Sequence, residues 1–224
     1  MSGLTLRVAG VDVAARLSGA LWVEAEGALV VADLHFEKGS SFAARGQLLP
    51  PYDTGETLAR LEAEAETLSP RVIVFLGDSF HDGGAEARLC ARDAERIAAL
   101  GRRRALVWIT GNHDRAGPSG LPGESLASLT LGALTLVHEP ATGRAPGEVA
   151  GHLHPCAKVA GAGGRRRCFV TDHERLILPA FGAYTGGLNV RDAAFRGLMG
   201  PGRLAAVLGW DQVHRIPWRA LRPD

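Results

Sequence analysis

The sequence predicts an α/β fold with buried parallel strands, and three observations support this. Five short apolar runs rich in β-branched residues occur in the first two thirds of the chain, and predicted helices lie among them. These runs are residues 29–32, 72–77, 105–111, 134–137 and 148–150. Runs of this length are typical of strands that are covered on both faces. Each run leads into a polar cluster containing Asp, Asn or His. Further along, short strands follow one another with no helix between them, which indicates an antiparallel region.

The first segment of the chain predicts strands joined by glycine turns. The predicted strands are residues 4–8, 20–24 and 28–32, and Gly19 and Gly27 lie in the turns between them. Glycine marks these turns because it readily adopts the backbone conformations that tight turns require. We therefore expect two or three strands before the first polar cluster.

Two helices are predicted between the next strands. A loop rich in small residues is expected at 36–53, and a helix at 54–68, where leucines recur on one face. Pro70 ends this helix, because the residue before proline is pushed out of the helical region. A second helix is expected at 84–100, with Gly101 as its C-cap.

The rest of the chain predicts loops and short strands, with one short helix. Residues 115–128 hold several glycines and prolines and are expected to form an exposed loop. Strands are expected at 158–160, 168–171 and 176–178, and a short helix near 204–208.

Length and charge exclude several classes of protein. The chain has 224 residues, enough for one full core, so residues 1–224 are expected to form a single domain. The formal net charge is +1, so the molecule as a whole does not attract nucleic acid or membranes, and any basic surface must be local. No stretch along the sequence interleaves basic and aromatic residues in the manner of single-strand binders. No segment is long and apolar enough to span a bilayer.

Cysteine usage and the N-terminal segment favour the cytoplasm. The three cysteines are Cys90, Cys156 and Cys168. Their odd number and scattered positions argue against a disulfide framework or a zinc ribbon, and we expect all three to be small buried residues. The N-terminal segment lacks a basic leader followed by an apolar core, so no signal peptide is predicted.

The polar clusters predict a metal centre. In an open α/β sheet, ligands bind beyond the carboxyl ends of the strands, so these side chains are delivered to one edge. Six of the eight histidines lie in the clusters, together with two aspartates and one asparagine. The cluster residues are Asp33, His35, Asp78, His81, Asn112, His113, His138, His152 and His154. A lone histidine is more often a structural residue, but the recurrence of histidines at five strand ends favours a metal site.

The ligand count favours two divalent ions. Nitrogen and oxygen donors in this mixture suit manganese, iron or zinc, and they are too rich in nitrogen for magnesium or calcium. Seven of these side chains acting as donors exceed the four ligands that one tetrahedral ion needs. Two ions sharing a carboxylate, roughly 3.5–4 Å apart, would suit the clamping of a phosphoryl group. Manganese is our first choice, with iron and zinc as alternatives.

The order of the motifs resembles one known family. Asp-x-His, Gly-Asp-x-x-His, Gly-Asn-His-Asp, His and Gly-His-x-His occur in turn between Asp33 and His154. This order resembles the calcineurin-like metallophosphoesterases. Residues 35–54 and 178–190 are similar to the PdeM-type branch, the bacterial ligase-associated DNA damage response endonucleases. The resemblance implies a four-layer α/β/β/α sandwich of two mixed sheets flanked by helices.

The resemblance also implies a role for each cluster residue. Asp33, His35 and His154 would hold one ion, and Asp78 would bridge to the second. Asn112, His138 and His152 would hold the second ion. His113 would lie beside the scissile phosphate, to steady it or to protonate the leaving oxygen. His81 replaces the acidic residue of many phosphatases in the family and favours a phosphodiesterase.

The departure at position 81 leaves the partner of His113 open. Asp82 could supply the acidic partner, or it could be a loop residue. Lys38 and Arg115 follow metal motifs and could contact a phosphate. Arg102–Arg104 is expected to be a solvated helix end, and Arg165–Arg167 is either a phosphate contact or a solvated turn. Tyr184 could line the site, although core packing is the simpler interpretation.

The leading functional interpretation is a metal-dependent phosphodiesterase, a DNA endonuclease in bacterial repair. The resemblance alone implies the repair role and two partners, a DNA ligase and a helicase. One alternative is a hydrolase of nucleotides or other small phosphoesters. Another is a non-catalytic scaffold, which the intact constellation disfavours.

Overall fold

The computed structural model describes residues 3–161 and 163–224, and two β-sheets dominate it. The first sheet has seven strands in sequence order. They are β1 (Gly3–Val8), β2 (Val11–Arg16), β3 (Leu21–Val23), β4 (Ala28–Val31), β5 (Val72–Leu76), β6 (Ala105–Ile109) and β7 (Glu124–Leu126). Strands β1 to β4 pair antiparallel, and β4 to β7 pair parallel.

The second sheet has ten strands from the remainder of the chain. They are β8 (Ser128–Leu131), β9 (Leu134–Val137), β10 (Glu148–Ala150), β11 (Pro155–Val159), β12 (Arg165–Thr171), β13 (Leu176–Ile177), β14 (Leu188–Asn189), β15 (Leu204–Leu208), β16 (Val213–Pro217) and β17 (Leu221–Arg222). The main path runs β14-β11-β12-β13-β10-β9-β8, while β15 pairs with β12 and β16, and β17 pairs with β11. The predicted antiparallel region is present, because β12 pairs antiparallel with both β11 and β13.

Four α-helices lie between β4 and β6 in the chain and cover the outer face of the first sheet. They are α1 (Lys38–Ala44), α2 (Asp53–Leu68), α3 (Ala85–Arg88) and α4 (Ala91–Gly101). Leu58 and Leu61 of α2 and Ile97 of α4 are fully buried against Phe75 and Trp108 of the sheet. Burial of this apolar stripe stabilises the helices more than their intrinsic propensity does.

The main core lies between the two sheets. Alternate residues of the strands point inward, as the two-residue period of a strand requires. Val30 and Val74 of the first sheet pack in one cluster with Leu136, Val149 and Phe169 of the second. The predicted sandwich of two mixed sheets is confirmed.

The outer face of the second sheet is covered mostly by loops. Two 3-10 helices, Ala193–Phe195 and Trp218–Ala220, flank it, and Phe195, Met199 and Trp218 pack on it. In the described part of the chain, all four α-helices belong to the first sheet. No described helix has the length and apolar character needed to cross a membrane.

Several predicted elements need correction. The helix predicted at 204–208 is wrong: this segment is strand β15, whose apolar residues are covered on both faces. A short apolar run has no periodicity that distinguishes a strand from a helix. The helix predicted at 84–100 is interrupted, because Leu89 and Cys90 are extended between α3 and α4. The C-cap is Arg102, one residue after Gly101.

The other differences concern short elements. The loop predicted at 36–53 contains helix α1, and the loop predicted at 115–128 contains strand β7. Strand β2 was not among the predicted strands. Cys90 is exposed, whereas the other two cysteines are buried as expected, and all three are free thiols.

Candidate metal centre

The polar clusters meet at one edge of the sandwich, where strands of both sheets end. Strands β4, β5 and β6 of the first sheet and β9 and β10 of the second each lead into one cluster. Hydrogen bonds join the clusters both across the two sheets and within the second sheet. The His152 N–H donates to Asp33 Oδ2 at 3.0 Å, and the Gly151 N–H donates to the His138 carbonyl at 3.0 Å. The structure therefore brings together residues from positions 33 to 154.

Five of these residues have a left-handed backbone. Positive φ angles occur at Asp33 (53°), His35 (47°), Asp78 (45°), His152 (66°) and His154 (45°). Residues other than glycine rarely adopt this conformation, because the Cβ is crowded against the backbone. Such backbone strain clusters at functional sites. Here it turns side chains from five separate chain positions toward a common centre.

One donor group contains Asp33, His35 and His154. His154 Nε2 lies 3.3 Å from Asp33 Oδ1, and His35 Nε2 lies 3.5 Å from His154 Nε2. The three donor atoms are close enough to share one ion. Asp33 is fully buried and His35 is nearly so.

A second donor group contains Asp78, His138 and His152, with Asn112 beside it. His138 Nε2 lies 3.4 Å from Asp78 Oδ2, 3.2 Å from His152 Nδ1 and 3.0 Å from Asn112 Oδ1. His138 Nδ1 faces the Leu76 carbonyl at 3.2 Å. A carbonyl only accepts, so this contact places the proton on Nδ1 and leaves Nε2 free as a ligand.

Asp78 lies between the two groups. Its Oδ2 is 3.4 Å from His138 Nε2 and 4.0 Å from His35 Nε2, so one carboxylate oxygen faces both groups. Burial acts to raise the pKa of Asp78, but the hydrogen bond and charge of His138 outweigh it and lower that pKa to about 2. Asp78 is therefore an anion at neutral pH, which is the form in which a carboxylate binds a metal ion.

Burial and the neighbouring charges shift the pKa values of His35 and His138 in opposite directions. Burial, followed by the neighbouring His154, lowers the pKa of His35 to about 3. Burial also acts to lower the pKa of His138, but the hydrogen bond with Asp78 and the charge of Asp33 outweigh it and raise that pKa to about 9, so a metal ion would have to displace a proton from Nε2. His35 is thus held as the neutral imidazole that binds metals.

The donor set fits divalent ions. Two donors that each bind one ion at about 2.0–2.2 Å lie roughly 3–4 Å apart, and the separations above fall in this range. Nitrogen faces nitrogen between His35 and His154, so the pair could share one proton as an N–H···N hydrogen bond or hold a cation between them. Buried polar atoms are normally paired. A divalent cation between them would satisfy both donors, so these residues could hold one ion in each group.

His113 and His81 stand beside the two groups. His113 Nε2 lies 3.9 Å from Asp78 Oδ2, and its Nδ1 faces the His81 carbonyl at 2.9 Å. The rings of His81 and His113 stack with centroids 5.8 Å apart, and His81 Nδ1 lies 3.4 Å from His35 Nδ1. Asp82 is not the acidic partner that was considered for His113. Its carboxylate pairs with Arg88 at 2.8 Å instead.

Asp114 is a positioning residue to which the sequence reasoning gave no role. Its buried carboxylate accepts hydrogen bonds from the N–H groups of Ser79 at 2.7 Å and Gly111 at 2.9 Å. These bonds tie the loops after β5 and β6 together. A Cβ at Gly111 would overlap Asp78, so glycine is required there. The signal was available, because Asp114 completes the Gly-Asn-His-Asp motif.

The edge is open and has basic residues beside it. Two shallow pockets of about 300 and 360 Å³ flank the centre, and Asn112 and Arg115 line both. The pKa of His81 is lowered first by burial, next by the charge of Lys38 and to a smaller extent by that of Arg45, so both cations lie nearby.

The remaining candidates lie further from the centre. Arg102–Arg104 lies at the opposite edge, between α4 and β6. Within Arg165–Arg167, Arg167 donates to the carbonyls of Gly182 and Thr185 and so braces a loop. Tyr184 is not a core residue: its hydroxyl donates to the Pro50 carbonyl at 2.9 Å, and its side chain lies at the surface.

The family model for calcineurin-like phosphoesterases matches residues 28–174, about two thirds of the chain. This segment contains every cluster residue. The chain belongs to this family. Its members use divalent metal ions, so a phosphoesterase activity and a metal requirement follow. No curated protein sequence matches the chain.

One solved structure is similar over nearly the whole chain. The crystal structure of Pseudomonas putida nuclease MPE matches with a TM-score of 0.72 and 25% identity, covering 96% of this chain and 100% of that one. The phosphoesterase YfcE from E. coli matches over 85% of this chain and 98% of its own, with 16% identity. Its TM-score of 0.38 is too low to support an argument.

Proposed function

We propose that this chain is a phosphodiesterase that uses two divalent ions to hydrolyse nucleic acid, with DNA as the substrate. The observation that carries the proposal is the arrangement around Asp78. One carboxylate oxygen faces two donor groups, and an exposed histidine stands beside it. Two ions that share a carboxylate suit in-line displacement at phosphorus.

The residues of the first donor group, Asp33, His35 and His154, would hold one ion with Asp78. The residues of the second group, Asn112, His138 and His152, would hold the other ion with Asp78. When bound, such a pair supplies Lewis acidity that activates water and polarises phosphoryl oxygens. We propose Mn²⁺ as the native metal, with iron and zinc as the other metals that suit these donors.

His113 would act as the general acid. Its Nδ1 faces the His81 carbonyl, which can only accept, so Nδ1 carries a proton and the tautomer is fixed. Nε2 then faces the open edge beside Asp78. In the imidazolium form, Nε2–H can donate its proton to the leaving oxygen of the phosphodiester. His81 would position His113 through this carbonyl and through ring stacking.

The open edge favours an extended substrate over a small one. The His113 side chain is 42% exposed and Asn112 is exposed, so the centre is not enclosed. Lys38, Arg45 and Arg115 lie beside it and could contact phosphates on either side of the scissile bond. The similar protein from P. putida is described as a nuclease, which supports the same substrate class.

The biological context is part of the proposal. A role in DNA repair, with a DNA ligase and a helicase as partners, rests on the resemblance to ligase-associated endonucleases. A cytoplasmic location rests on the number and spacing of the cysteines. The assignment of residues 1–224 to a single domain is likewise a proposal.

The decisive experiment compares two substrates at known metal content. We would determine metals in the purified protein by elemental analysis, and then assay bis-p-nitrophenyl phosphate and a labelled DNA with Mn²⁺, Fe²⁺ or Zn²⁺. Cleavage of both substrates is expected. Cleavage of only the small ester would favour a small-phosphoester hydrolase. Failure to cleave either, with two ions bound, would favour a non-catalytic scaffold.

A further inference from the structure

Charge is distributed unevenly along this nearly neutral chain. Residues 155–224 contain eleven Lys and Arg but only five Asp and Glu, a net charge of +6. Residues 1–154 contain fourteen and nineteen, a net charge of −5. The excess positive charge therefore falls on the strands and loops that follow the last metal motif. Such an asymmetry indicates a polyanion partner.

The fold gathers part of this charge around two tryptophans. Trp218 has the guanidinium groups of Arg191 and Arg203 over its ring, at 5.6 and 4.8 Å from the centroid. Arg166 lies over Trp210 at 4.3 Å, and Trp210 is 87% exposed. We call these residues, together with Arg196, the arginine–tryptophan face. Trp218 packs on the outer side of the second sheet, and Arg166 alternates along its strand with Cys168 and Val170, which face the same side.

The arginines of this face lack acidic partners within the described part of the chain. No carboxylate lies within 4.0 Å of Arg166, Arg191, Arg196 or Arg203 there. The nearby Asp192 accepts a hydrogen bond from the Ala194 N–H instead. Arg191, Arg196, Arg203 and Trp218 line a shallow pocket of about 280 Å³. Their charge is therefore available to a ligand.

A short strand connects this face to the metal centre. The Leu188 N–H donates to the His154 carbonyl at 3.1 Å, and the Val190 N–H donates to the Cys156 carbonyl at 2.9 Å. Arg191 follows directly, so at about 3.3 Å per residue its backbone lies roughly 10 Å from that of Leu188. A flexible chain held at the metal centre could reach the face.

We propose that the arginine–tryptophan face binds single-stranded nucleic acid, with phosphates on the arginines and a base stacked on the exposed indole of Trp210. The inference rests on the proposed nuclease function, because it gives the substrate strand a second contact away from the metals. Basic grooves with aromatic platforms bind single strands without sequence preference. An acidic protein would be drawn by the arginines but would gain little from the exposed indole of Trp210.

The test measures binding without cleavage. A fluorescein-labelled oligothymidylate of about 20 nucleotides is titrated with the protein in EDTA, and fluorescence anisotropy is followed over a range of salt concentrations. Trp210→Ala removes an exposed side chain and should weaken binding about 5- to 150-fold, the loss typical of one stacked base. The double variant Arg191→Ala/Arg203→Ala should reduce the slope of log K against log salt by about 1.4, or 0.7 for each phosphate contact.

Matched controls separate this face from general charge and from the active site. Arg102→Ala/Arg103→Ala removes the same charge at the opposite edge and should leave oligonucleotide binding within about twofold of wild type. Hydrolysis of bis-p-nitrophenyl phosphate should be unchanged in all these variants, because none of them alters the metal centre. Melting curves check that each variant folds.

The outcomes distinguish this inference from the proposed function. If wild type hydrolyses the ester but Trp210→Ala and the double variant bind the oligonucleotide like wild type, the face is not a nucleic-acid site. If polyglutamate displaces the oligonucleotide equally well from wild type and from Trp210→Ala, the partner is an acidic protein and the inference is overturned. If wild type hydrolyses neither the ester nor DNA but the variants bind the oligonucleotide more weakly than wild type, the proposed function is wrong and the nucleic-acid site on this face is supported.

Discussion

The molecule contains two buried clusters of charged and polar side chains that are built in opposite ways. In the metal centre, some histidine nitrogens face one another: His35 Nε2 lies 3.5 Å from His154 Nε2, and His138 Nε2 lies 3.2 Å from His152 Nδ1. Around Arg175, which is 1% exposed, every contact joins opposite partners. The difference between the clusters separates residues that could bind a metal ion from residues that hold the fold together.

The Arg175 side chain is held by three contacts within the protein. Arg175 donates to the carbonyls of Leu198 at 2.8 Å and Ala141 at 2.7 Å. Its Nε lies 2.8 Å from Glu148 Oε1 as an ion pair, although the N–H is not aligned for a hydrogen bond. Burial raises the pKa of Glu148 more than Arg175 and the Ala141 N–H lower it. The contacts tie Ala141, Glu148 and Leu198 together through Arg175, so the cluster is structural.

Asp78→Asn should have the largest effect, and this effect should be confined to the metal centre. The amide removes the charge that faces both donor groups, so we expect loss of bound metal and a fall in hydrolysis of more than about 10³-fold, equivalent to several kcal/mol of lost stabilisation. Elemental analysis and bis-p-nitrophenyl phosphate hydrolysis measure the two effects. Circular dichroism should be unchanged. Full metal content in this variant would contradict the assignment of Asp78 as a ligand.

His113→Ala should separate chemistry from metal binding within the same cluster. His113 is assigned as a general acid and not as a ligand, so both ions should stay bound while kcat falls by about 10²–10⁴-fold. Metal content and kcat are measured on the same preparation. The control is Asn112→Ala, which should lose metal as well as activity. Unchanged kcat in His113→Ala with metal retained would remove His113 from the mechanism.

Glu148→Leu should give the converse result: it should lower the stability of the fold and leave the activity of the folded protein unchanged. The substitution leaves Arg175 as a buried charge without its partner, which costs about 3–5 kcal/mol in the free energy of unfolding. Urea denaturation measures this loss, and kcat of the folded fraction should be unchanged.

A double-mutant cycle sharpens the same prediction. Because the double variant leaves no buried charge without a partner, Glu148→Leu/Arg175→Met should be less destabilised than the sum of the single variants, by about 0.5–3 kcal/mol. Strict additivity would show that the two side chains do not interact and would remove the contrast with the metal centre.

Arg102→Ala should have the smallest effect and sets the baseline for both clusters. Its ion pair with Glu95 is 2.6 Å long, but both side chains are more than 60% exposed. Solvent and salt screen such pairs, so the free energy of unfolding should change by less than about 1 kcal/mol, with unchanged activity. A loss comparable to that in Glu148→Leu would show that the C-terminal end of α4 has a structural role.

Much of the site could be predicted because its residues lie next to clear local signals. Asp33, Asp78 and Asn112 each follow a parallel strand whose apolar run is evident, and parallel strands of one sheet end at a common edge. The role of Asp114 was missed, because its contacts are backbone N–H groups of loops that meet only in the folded molecule. The ligand and catalytic roles of the cluster residues remain predictions.

The fold could be predicted in class but not in every element. Helix α2 begins one residue before its predicted start and ends where predicted, because an apolar face and Pro70 define it locally. Strand β15 was mistaken for a helix, since five apolar residues fit either structure, and only its pairing with β12 and β16 decides the outcome.

The sequence by itself determined the α/β class, the family and the residues delivered to the metal centre, because strand periodicity and motif spacing are properties of neighbouring residues. The tertiary structure alone decided which donors face each other, that Asp82 pairs with Arg88, and that arginines and tryptophans between positions 166 and 218 share one face. These facts depend on contacts between residues far apart in the chain, and such contacts leave no pattern in the local sequence.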